Sequence, residues 1–401
     1  MLEEILLQQL CGGNGWRVVD MEHQLWRLGL MVRLEPTRSS AVCSGCRNMC
    51  KQLYDVKNYA REWRHLDGWG MATLIQAPLR RVQCRRCGVR VEQVPWAALH
   101  SRLTHGFEQE ILNRARETSV QGVCRQLRVH WETVMTLVER WVKRAAKKRF
   151  RRSLRRIGVD EFSYGGGQQK YLTVVWDHDR GEVVWIGEGR EGKTLEEFFS
   201  EFGPRRAQAL KCVTMDMAQG YIAAVKSCAP NADIVFDRFH IEQHLSFAVN
   251  EIRKKEFWRR GGKYREAIKG KKYLLLKRRR RLHWRRRREL DELLALNRRL
   301  NAAYALKEQF ALIWEQRTEM DMLTALVAWR LLLRWQRLNP LERFWDMLSR
   351  HKEGVIAWAK HHLTNGALES HNSRARAISQ RARGYRNPHN FMLMLYQASW
   401  S

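Results

Sequence analysis

Cysteine, long apolar runs and acidic residues are all scarce in this sequence of 401 residues. Nine cysteines are too few for a disulfide scaffold at this length. No apolar run reaches the roughly 20 residues a membrane helix needs. The longest, TALVAWRLLLRW at 324–335, is broken by Arg330 and Arg334. The first residues, MLEEILLQQL, carry two acids and no basic cluster, so they do not read as a signal peptide. The expected setting is reducing and cytoplasmic, with no membrane partner. Asp and Glu total 42 against 73 Lys and Arg, a formal net charge of +31. That shortage of acid points to a polyanion, with nucleic acid ahead of a membrane surface, and to association with the nucleoid. Hydrophobic residues make up 44%, enough to fold a core across two to four domains.

Four of the cysteines are paired. Cys43-Ser44-Gly45-Cys46 answers Cys84-Arg85-Arg86-Cys87, which Gly88 follows. A two-residue gap lets both thiolates of one turn face the same ion, and two such turns close a tetrahedral Zn²⁺ site. Such a site builds a fold and does no catalysis. The stretch between the pairs is longer than a compact ribbon needs, so it must form hairpins of its own; MATLIQAPLRRVQC (71–84) reads as strand. Cys50, His65 and Asp67 are alternative or supporting ligands, with Cys50 reading as a free thiol.

Residues 105–150 have helical periodicity. Ile111, Ala115, Val120, Val123, Leu127, Val134, Leu137, Val138 and Trp141 recur mainly at spacings of three, four and seven. A break near Arg128–His130 gives helix-turn-helix length. An ordinary helical hairpin has the same periodicity. The basic tail KRAAKKRFRRSLRR (143–156), with Lys147 and Lys148, favours contact with DNA.

From 155 the pattern turns to strands. RRIGVDEFSY, KYLTVVWDHD and GEVVWIGEG, joined by glycine turns including GGG (165–167), read as an antiparallel meander. A helix follows over 193–203, with Thr194 as its expected N-cap. Then come a strand (209–217), a helix (221–228) and a strand (232–240). The order β-β-β-α-β-α-β is that of a ribonuclease-H-like fold, in which the first and fourth strands are neighbours. Asp160 and Asp216 would then lie side by side. An ordinary strand-end or turn aspartate explains either one alone. Together they are two of the carboxylates that a two-metal phosphoryl-transfer site needs, with Mg²⁺ or Mn²⁺ ions about 4 Å apart neutralising the attacking and leaving oxygens.

Residues 251–355 are helical and rich in Trp, Leu and Arg. They contain KRRRRLHWRRRR (277–288), with Arg278, Arg279, Arg280, Arg281, Arg285, Arg286, Arg287 and Arg288. Cations so dense repel one another without an anion, which favours DNA phosphate over a merely solvated face. The tryptophans here read as core or interface residues. Beyond this insertion, Glu369, Asn372 and Arg376 fall on one polar helical face, the third carboxylate included, and Arg376 joins the expected DNA contacts.

Taken together, CxxC…CxxC with RHLD (64–67), the helix-turn-helix, VDE (159–161), TMDM with Tyr221, FDRFH (236–240) and NGALESHNSRARAISQRARGYRN (365–387) with Phe391 resemble the ISL3-family insertion-sequence transposases of the DDE class. The resemblance covers nearly the whole chain. It implies that Asp160, Asp216 and Glu369 are the catalytic, metal-holding triad, with Asp237 and His240 in support. Ala375 and Arg376 stand where an isoleucine-lysine pair is expected, a change that keeps the charge. The expected fold is multidomain α+β: a zinc-binding domain (1–100), a helix-turn-helix domain (101–153), and a catalytic domain in two parts (154–250 and 356–401) around a helical insertion (251–355). The expected activity is metal-dependent cleavage and strand transfer of double-stranded DNA, at transposon ends and target, by a homodimer. A domesticated DNA-binding regulator and a ribonuclease-H-fold nuclease are the rivals.

Overall fold

The computed structural model describes residues 15–24, 29–150, 152–165, 170–259 and 261–400. The opening residues and two of the three glycines in the GGG turn, 166 and 167, lie outside them. The chain divides into two compact units, Met1–Trp141 and Val142–Ser401.

Seven strands open the first unit: β1 (Trp16–Gln24), β2 (Gly29–Pro36), β3 (Ala41–Val42), β4 (Met49–Cys50), β5 (Leu53–Arg64), β6 (Ala72–Cys84) and β7 (Gly88–Val91). One sheet has the order β1-β2-β6-β5 with β7 on β6, and β3 and β4 form a separate two-stranded sheet. The expected strand at 71–84 is β6, and the expected hairpin is its antiparallel pairing with β5. Ile75, Ala77 and Leu79 alternate inward on β6 and meet Trp63 and Trp96 in a small core. Three helices follow: α1 (His105–Glu117), α2 (Val120–Leu127) and α3 (Trp131–Arg149). The Ser119 hydroxyl caps α2 by accepting from Gly122 N at 3.1 Å. Arg128 ends it in the left-handed region, φ 55°. The turn between α2 and α3 thus falls at 128–130, as the sequence pattern required.

The second unit is built on the sheet β8 (Arg156–Tyr164), β9 (Lys170–Asp177), β10 (Glu182–Glu188), β11 (Cys212–Met215) and β12 (Asp233–Phe236), in the order β10-β9-β8-β11-β12. The first three pair antiparallel, while β11 is parallel to both β8 and β12. Helices α4 (Gly192–Phe202) and α5 (Gln219–Cys228) connect the later strands. They approach so closely that a Cβ on Gly192 would stand 2.6 Å from the Gly220 carbonyl oxygen. After β12 the described residues hold helices and connecting segments and no strand. The longer helices are α6 (Arg238–Arg259), α7 (Trp284–Leu296), α8 (Arg298–Ile313), α9 (Glu319–Arg334), α10 (Asn339–Arg350), α11 (Gly366–Arg381) and α12 (Pro388–Ser399). Phe310, Trp314, Trp329 and Phe344 of this stretch share one continuous core with Val213, Met215 and Val235 of the sheet.

Two local expectations fail. Thr194 is not the cap of α4; Glu191 holds that position without a side-chain bond, and Thr194 is buried inside the first turn, its hydroxyl donating to Glu188 O at 3.3 Å. The expected strand 232–240 stops at Phe236, and Phe239 and His240 already belong to α6. The apolar run IVFDRF hides this boundary, because the first turn of a buried helix and a buried strand look alike over six residues.

Candidate functional site

Two sites gather the chemistry-bearing side chains. In the first unit the thiols of Cys43, Cys46, Cys84 and Cys87 all lie within 4.8 Å of one another. The turns that carry them are tight. Arg47, just past the first pair, has φ 59°, and Gly88, just past the second, has φ 70°. A Cβ on Gly45 would come 3.1 Å from Cys87 Sγ. Four thiols at this range suit Zn²⁺, which takes thiolates in a tetrahedron. Their mutual influence runs in opposite directions. Hydrogen bonding to Cys46, with burial next, pushes the Cys87 thiol up to about 12, whereas two backbone N–H groups bring Cys84 down to about 6.

The supporting residues do other work. Cys50 is a buried free thiol that packs against Cys43 and Cys84. His65 Nδ1 lies 2.9 Å from the Thr104 hydroxyl, which also accepts from Phe107 N and so caps α1. Asp67 takes Arg64 and Arg128 in ion pairs, fastening the turn after α2. His65 and Asp67 therefore stand outside the four-thiol group. Arg80 of β6 and Glu92, just past β7, form a buried pair, 2.6 Å between Nη2 and Oε2.

In the second unit Asp160 sits on β8, Asp216 one residue beyond β11, and Asp237 one residue beyond β12. Parallel pairing of these strands brings all three to one end of the sheet. Asp160 and Asp216 form a tight group with His240, one ligand atom from each lying within 4.8 Å of the others. They line an open cleft of about 440 Å³ with Glu161, Ser163, Tyr171 and His244. Glu369, in the first turn of α11, lies outside the tight group, but its charge acts on Asp216. The next turn of α11 does reach the site: Asn372 Nδ2 donates to Asp160 Oδ2 at 2.7 Å, while the Glu161 N–H holds Oδ1 at 2.8 Å. Arg376, another turn on, is exposed and lies 5.9 Å from the centre of the Phe162 ring.

A buried polar chain fixes where α11 starts. Thr214 Oγ1 donates to Asn365 Oδ1 at 2.6 Å and lies 2.6 Å from His178 Nε2. Asn365 Nδ2 donates to Val159 O, and Asn365 N donates to Asp237 Oδ1. Gly158 makes room for this chain. A Cβ there would stand 2.9–3.1 Å from His178 Nε2, Asn365 Oδ1 and Thr214 Oγ1. Sequence reading missed Asn365, Thr214 and His178 as site-builders; Asn365 directly before Gly366 at a helix start was the available signal.

The electrostatics describe a site short of positive charge. Burial, then the Asp216 charge, pushes Asp160 up to about 7. Burial, then Asp237, Glu161 and Glu369, pushes Asp216 to about 7 as well. Asp237, Glu161 and Glu369 are raised too, each chiefly by burial. Asp216 Oδ1 and Asp237 Oδ2 are buried without a hydrogen-bond partner in a chain of net charge +31. Carboxylate oxygens that converge and accept no hydrogen bond, with only the His240 imidazole near them, fit a hard divalent cation, which takes oxygen ligands and relieves the repulsion.

The expected DNA-contacting cations are mostly at the surface. Lys147 and Lys148 are exposed in the last turns of α3. Much of the basic run is answered within the chain. Arg278 pairs with Glu242, Arg279 with Asp291, Arg286 with Glu289 and Arg288 with Glu292, and Arg280 lies 3.9 Å from Glu315. Arg287 donates to the carbonyls of Leu282 and Arg280. Arg281 and Arg285 have no acidic partner among the described residues, and Arg285 lies over the exposed Trp284 ring. Of the tryptophans expected in core or interface, Trp314, Trp329 and Trp358 are buried, while Trp258, Trp284 and Trp335 are exposed.

Comparison with known proteins bears on both units. Residues 157–395 match the family model of the ISL3 DDE type described as a transposase. Residues 92–142 match the helix-turn-helix domain of transposase family ISL3, and residues 39–87 match the zinc-finger of transposases of IS204, IS1001, IS1096 and IS1165. The chain is 28% identical over 406 aligned positions to the transposase for insertion sequence element IS1001 of Bordetella parapertussis, covering 99% of this chain and 98% of that one. It is 30% identical over 419 positions to the transposase for IS1557 of Mycobacterium tuberculosis, covering 97% and 90%.

Proposed function

The chain belongs to the ISL3 family of insertion-sequence transposases, and we propose that it binds the terminal inverted repeats of its element and catalyses two-metal cleavage and strand transfer of DNA. The observation that carries this reading is the convergence of Asp160 and Asp216 on adjoining parallel strands, with a buried Asp216 oxygen that accepts no hydrogen bond. The sheet order β10-β9-β8-β11-β12, three antiparallel strands followed by two parallel ones, supports a ribonuclease-H-like catalytic domain. In that domain residues 154–250 and 356–401 are its two parts and 251–355 a helical insertion. Residues 1–100 and 101–153 are the zinc-binding and helix-turn-helix domains that read the repeats.

Asp160, Asp216 and Glu369 hold the metal in this reading. When bound, Mg²⁺ or Mn²⁺ supplies charge neutralisation on the attacking and leaving oxygens of the phosphodiester. The chain's own contribution is placement. Two donors fix the Asp160 carboxylate, and the Asn365 chain fixes the first turn of α11, hence Glu369. Asn372 and Asn365 tie α11 to β8 at two points 7 residues apart, so the helix cannot roll without breaking one of them. A water held at this end of the sheet cleaves beside the element end, and the freed 3′-hydroxyl attacks target DNA by the same in-line displacement. Lys147, Lys148, Arg376 and the unpaired arginines of the 277–288 run hold phosphates. The working form is a homodimer on DNA, acting in the cytoplasm at the nucleoid.

Changing Asp160, Asp216 or Glu369 to Ala should each lower cleavage of end DNA by about three orders of magnitude or more. That corresponds to the several kcal/mol of charge stabilisation at stake. Affinity for end DNA should stay close to wild type, because phosphate contacts set it. Cleavage surviving in the Glu369→Ala protein removes Glu369 from the triad. Wild-type protein that binds end DNA and cuts nothing with Mg²⁺ or Mn²⁺ is the domesticated regulator instead.

A further inference from the structure

We propose that one cation position of this site has a nitrogen ligand: Nε2 of His240, together with one oxygen each of Asp160 and Asp216. The inference rests on the metal-binding reading above and goes beyond its three carboxylates.

Distance and a missing hydrogen bond together carry it. His240 Nε2 stands 3.1 Å from Asp216 Oδ1, yet Oδ1 is buried and accepts no hydrogen bond. The two atoms converge with no hydrogen bond between them. Neighbouring ligands of an octahedral ion with bonds of about 2.1 Å lie about 3 Å apart, which is this spacing. The Asp160 oxygen completes a group spanning no more than 4.8 Å. An independent observation comes from behind the group. Asp237 is 2% exposed, and its Oδ2 has no partner and lies 4.0 Å from His240 Nε2. Its Oδ1 is committed to Asn365 N. A second buried carboxylate oxygen aimed at the same place is costly without a cation there.

The fold makes His240 available for this. Phe236 ends β12 and Asp237 directly precedes α6, whose first turn therefore places His240 three residues on, facing the same way as Asp237. The Phe239 ring stands edge-on to the imidazole at 5.5 Å. A nitrogen ligand shifts selectivity. Imidazole suits later divalent metals, whereas Mg²⁺ and Ca²⁺ prefer oxygen alone. The site should therefore hold Mn²⁺ more tightly than Mg²⁺, and Glu369, outside the group, is left to the second cation.

The test is pulsed electron paramagnetic resonance on the full-length protein, its cysteine site kept in zinc, with one equivalent of Mn²⁺ and no DNA. A ¹⁴N coupling from a directly bound nitrogen is expected. Growth with ¹⁵N-histidine should convert it to the ¹⁵N pattern. Changing His240 to Gln should abolish it and weaken Mn²⁺ binding at least about tenfold, whereas His244→Gln, altering a histidine that lines the same cleft, should keep it. If the His240→Gln protein fails to fold, the labelled wild type and the His244→Gln variant still decide the matter. Mn²⁺ bound with no nitrogen coupling overturns the histidine ligand and leaves the carboxylate site standing. Mn²⁺ binding that is undiminished in Asp160→Asn and Asp216→Asn overturns the site itself, and the inference with it.

Discussion

At the scale of single residues, the carboxylates of the cleft set a measurable pH dependence. Asp160 and Asp216 are each pushed from the ordinary aspartate range to about 7. A raised folded value means the folded state holds its protons more tightly than the unfolded chain does. The stability these groups contribute is full below about pH 4 and is lost as pH rises through 7. Without added divalent metal, Asp216→Asn should therefore raise the melting temperature at pH 8 and change it little at pH 4. The gain should be on the order of 1–2 kcal/mol, because the Asp216 side chain is about a third exposed (32%) and solvent screens part of the repulsion. Thermal melts at the two pH values check this. An equal effect at both would mean the carboxylates do not repel one another in the folded state. Asp216 is the better position for the substitution, since Asp160 already receives two donors that an amide would partly displace.

At the scale of elements, the basic run is less bare than its composition implies. Dense cations do repel, but Glu242, Asp291, Glu289 and Glu292 take up four of the arginines from within the chain. Glu289 and Glu292 are neighbours of their arginines on α7, three and four residues along, whereas Glu242 and Asp291 meet Arg278 and Arg279 only through folding. The run is thus partly a self-neutralised helix end, and its capacity for phosphate is concentrated on Arg281 and Arg285. Arg285→Gln should flatten the slope of log K against log salt by about 1, for DNA of any sequence. Arg288→Gln, which also strands Glu292, should change it less. Salt titrations of DNA binding compare the two, and equal slopes in both variants and wild type would make the whole run a solvated face. The GYRN segment has a comparable double character. Tyr385 stacks on Phe391 at 4.9 Å, and Phe391 is fully buried against Tyr164 and Phe162 of β8. That motif fastens α11 and α12 to the strand carrying Asp160.

At the scale of the whole molecule, the chain has two units with separate reasons to be stable. The first has small cores and a closed four-thiol site, so its folding free energy includes metal binding. The second rests on a large continuous apolar core. Purified protein should carry about one zinc per chain, which Cys84→Ser with Cys87→Ser should remove. A strong zinc chelator should open the amides of β3, β4 and β7 to hydrogen exchange and leave β8 to β12 protected. Metal analysis and exchange mass spectrometry read the two effects. Full zinc in the double variant would refute the ligand assignment, and loss of protection in β8–β12 would mean the units do not unfold independently.

The sequence by itself determined whatever is written in local spacing. CxxC pairs, three- and four-residue periodicity from 105 to 150, and isolated acids in strand-like runs each report a property of a few neighbouring residues. Zinc ribbon, helix-turn-helix and the candidate aspartates were legible for that reason. The strand ends were legible less well, because a buried strand and the first turn of a buried helix have the same short apolar pattern. That ambiguity concealed the helical placement of His240. The tertiary structure decided the rest. Strand pairing sets which residues from 158 to 372 share one end of a sheet, and no local pattern encodes that pairing. It brought Asn365, Thr214 and His178 into one buried chain around Gly158 and put Asn372 on Asp160. It also set His240 and Asp237 against Asp216, while Glu369 stayed outside the tight group. Buried polar groups must find partners in three dimensions, and which partners they find depends on the register of strands far apart in the chain.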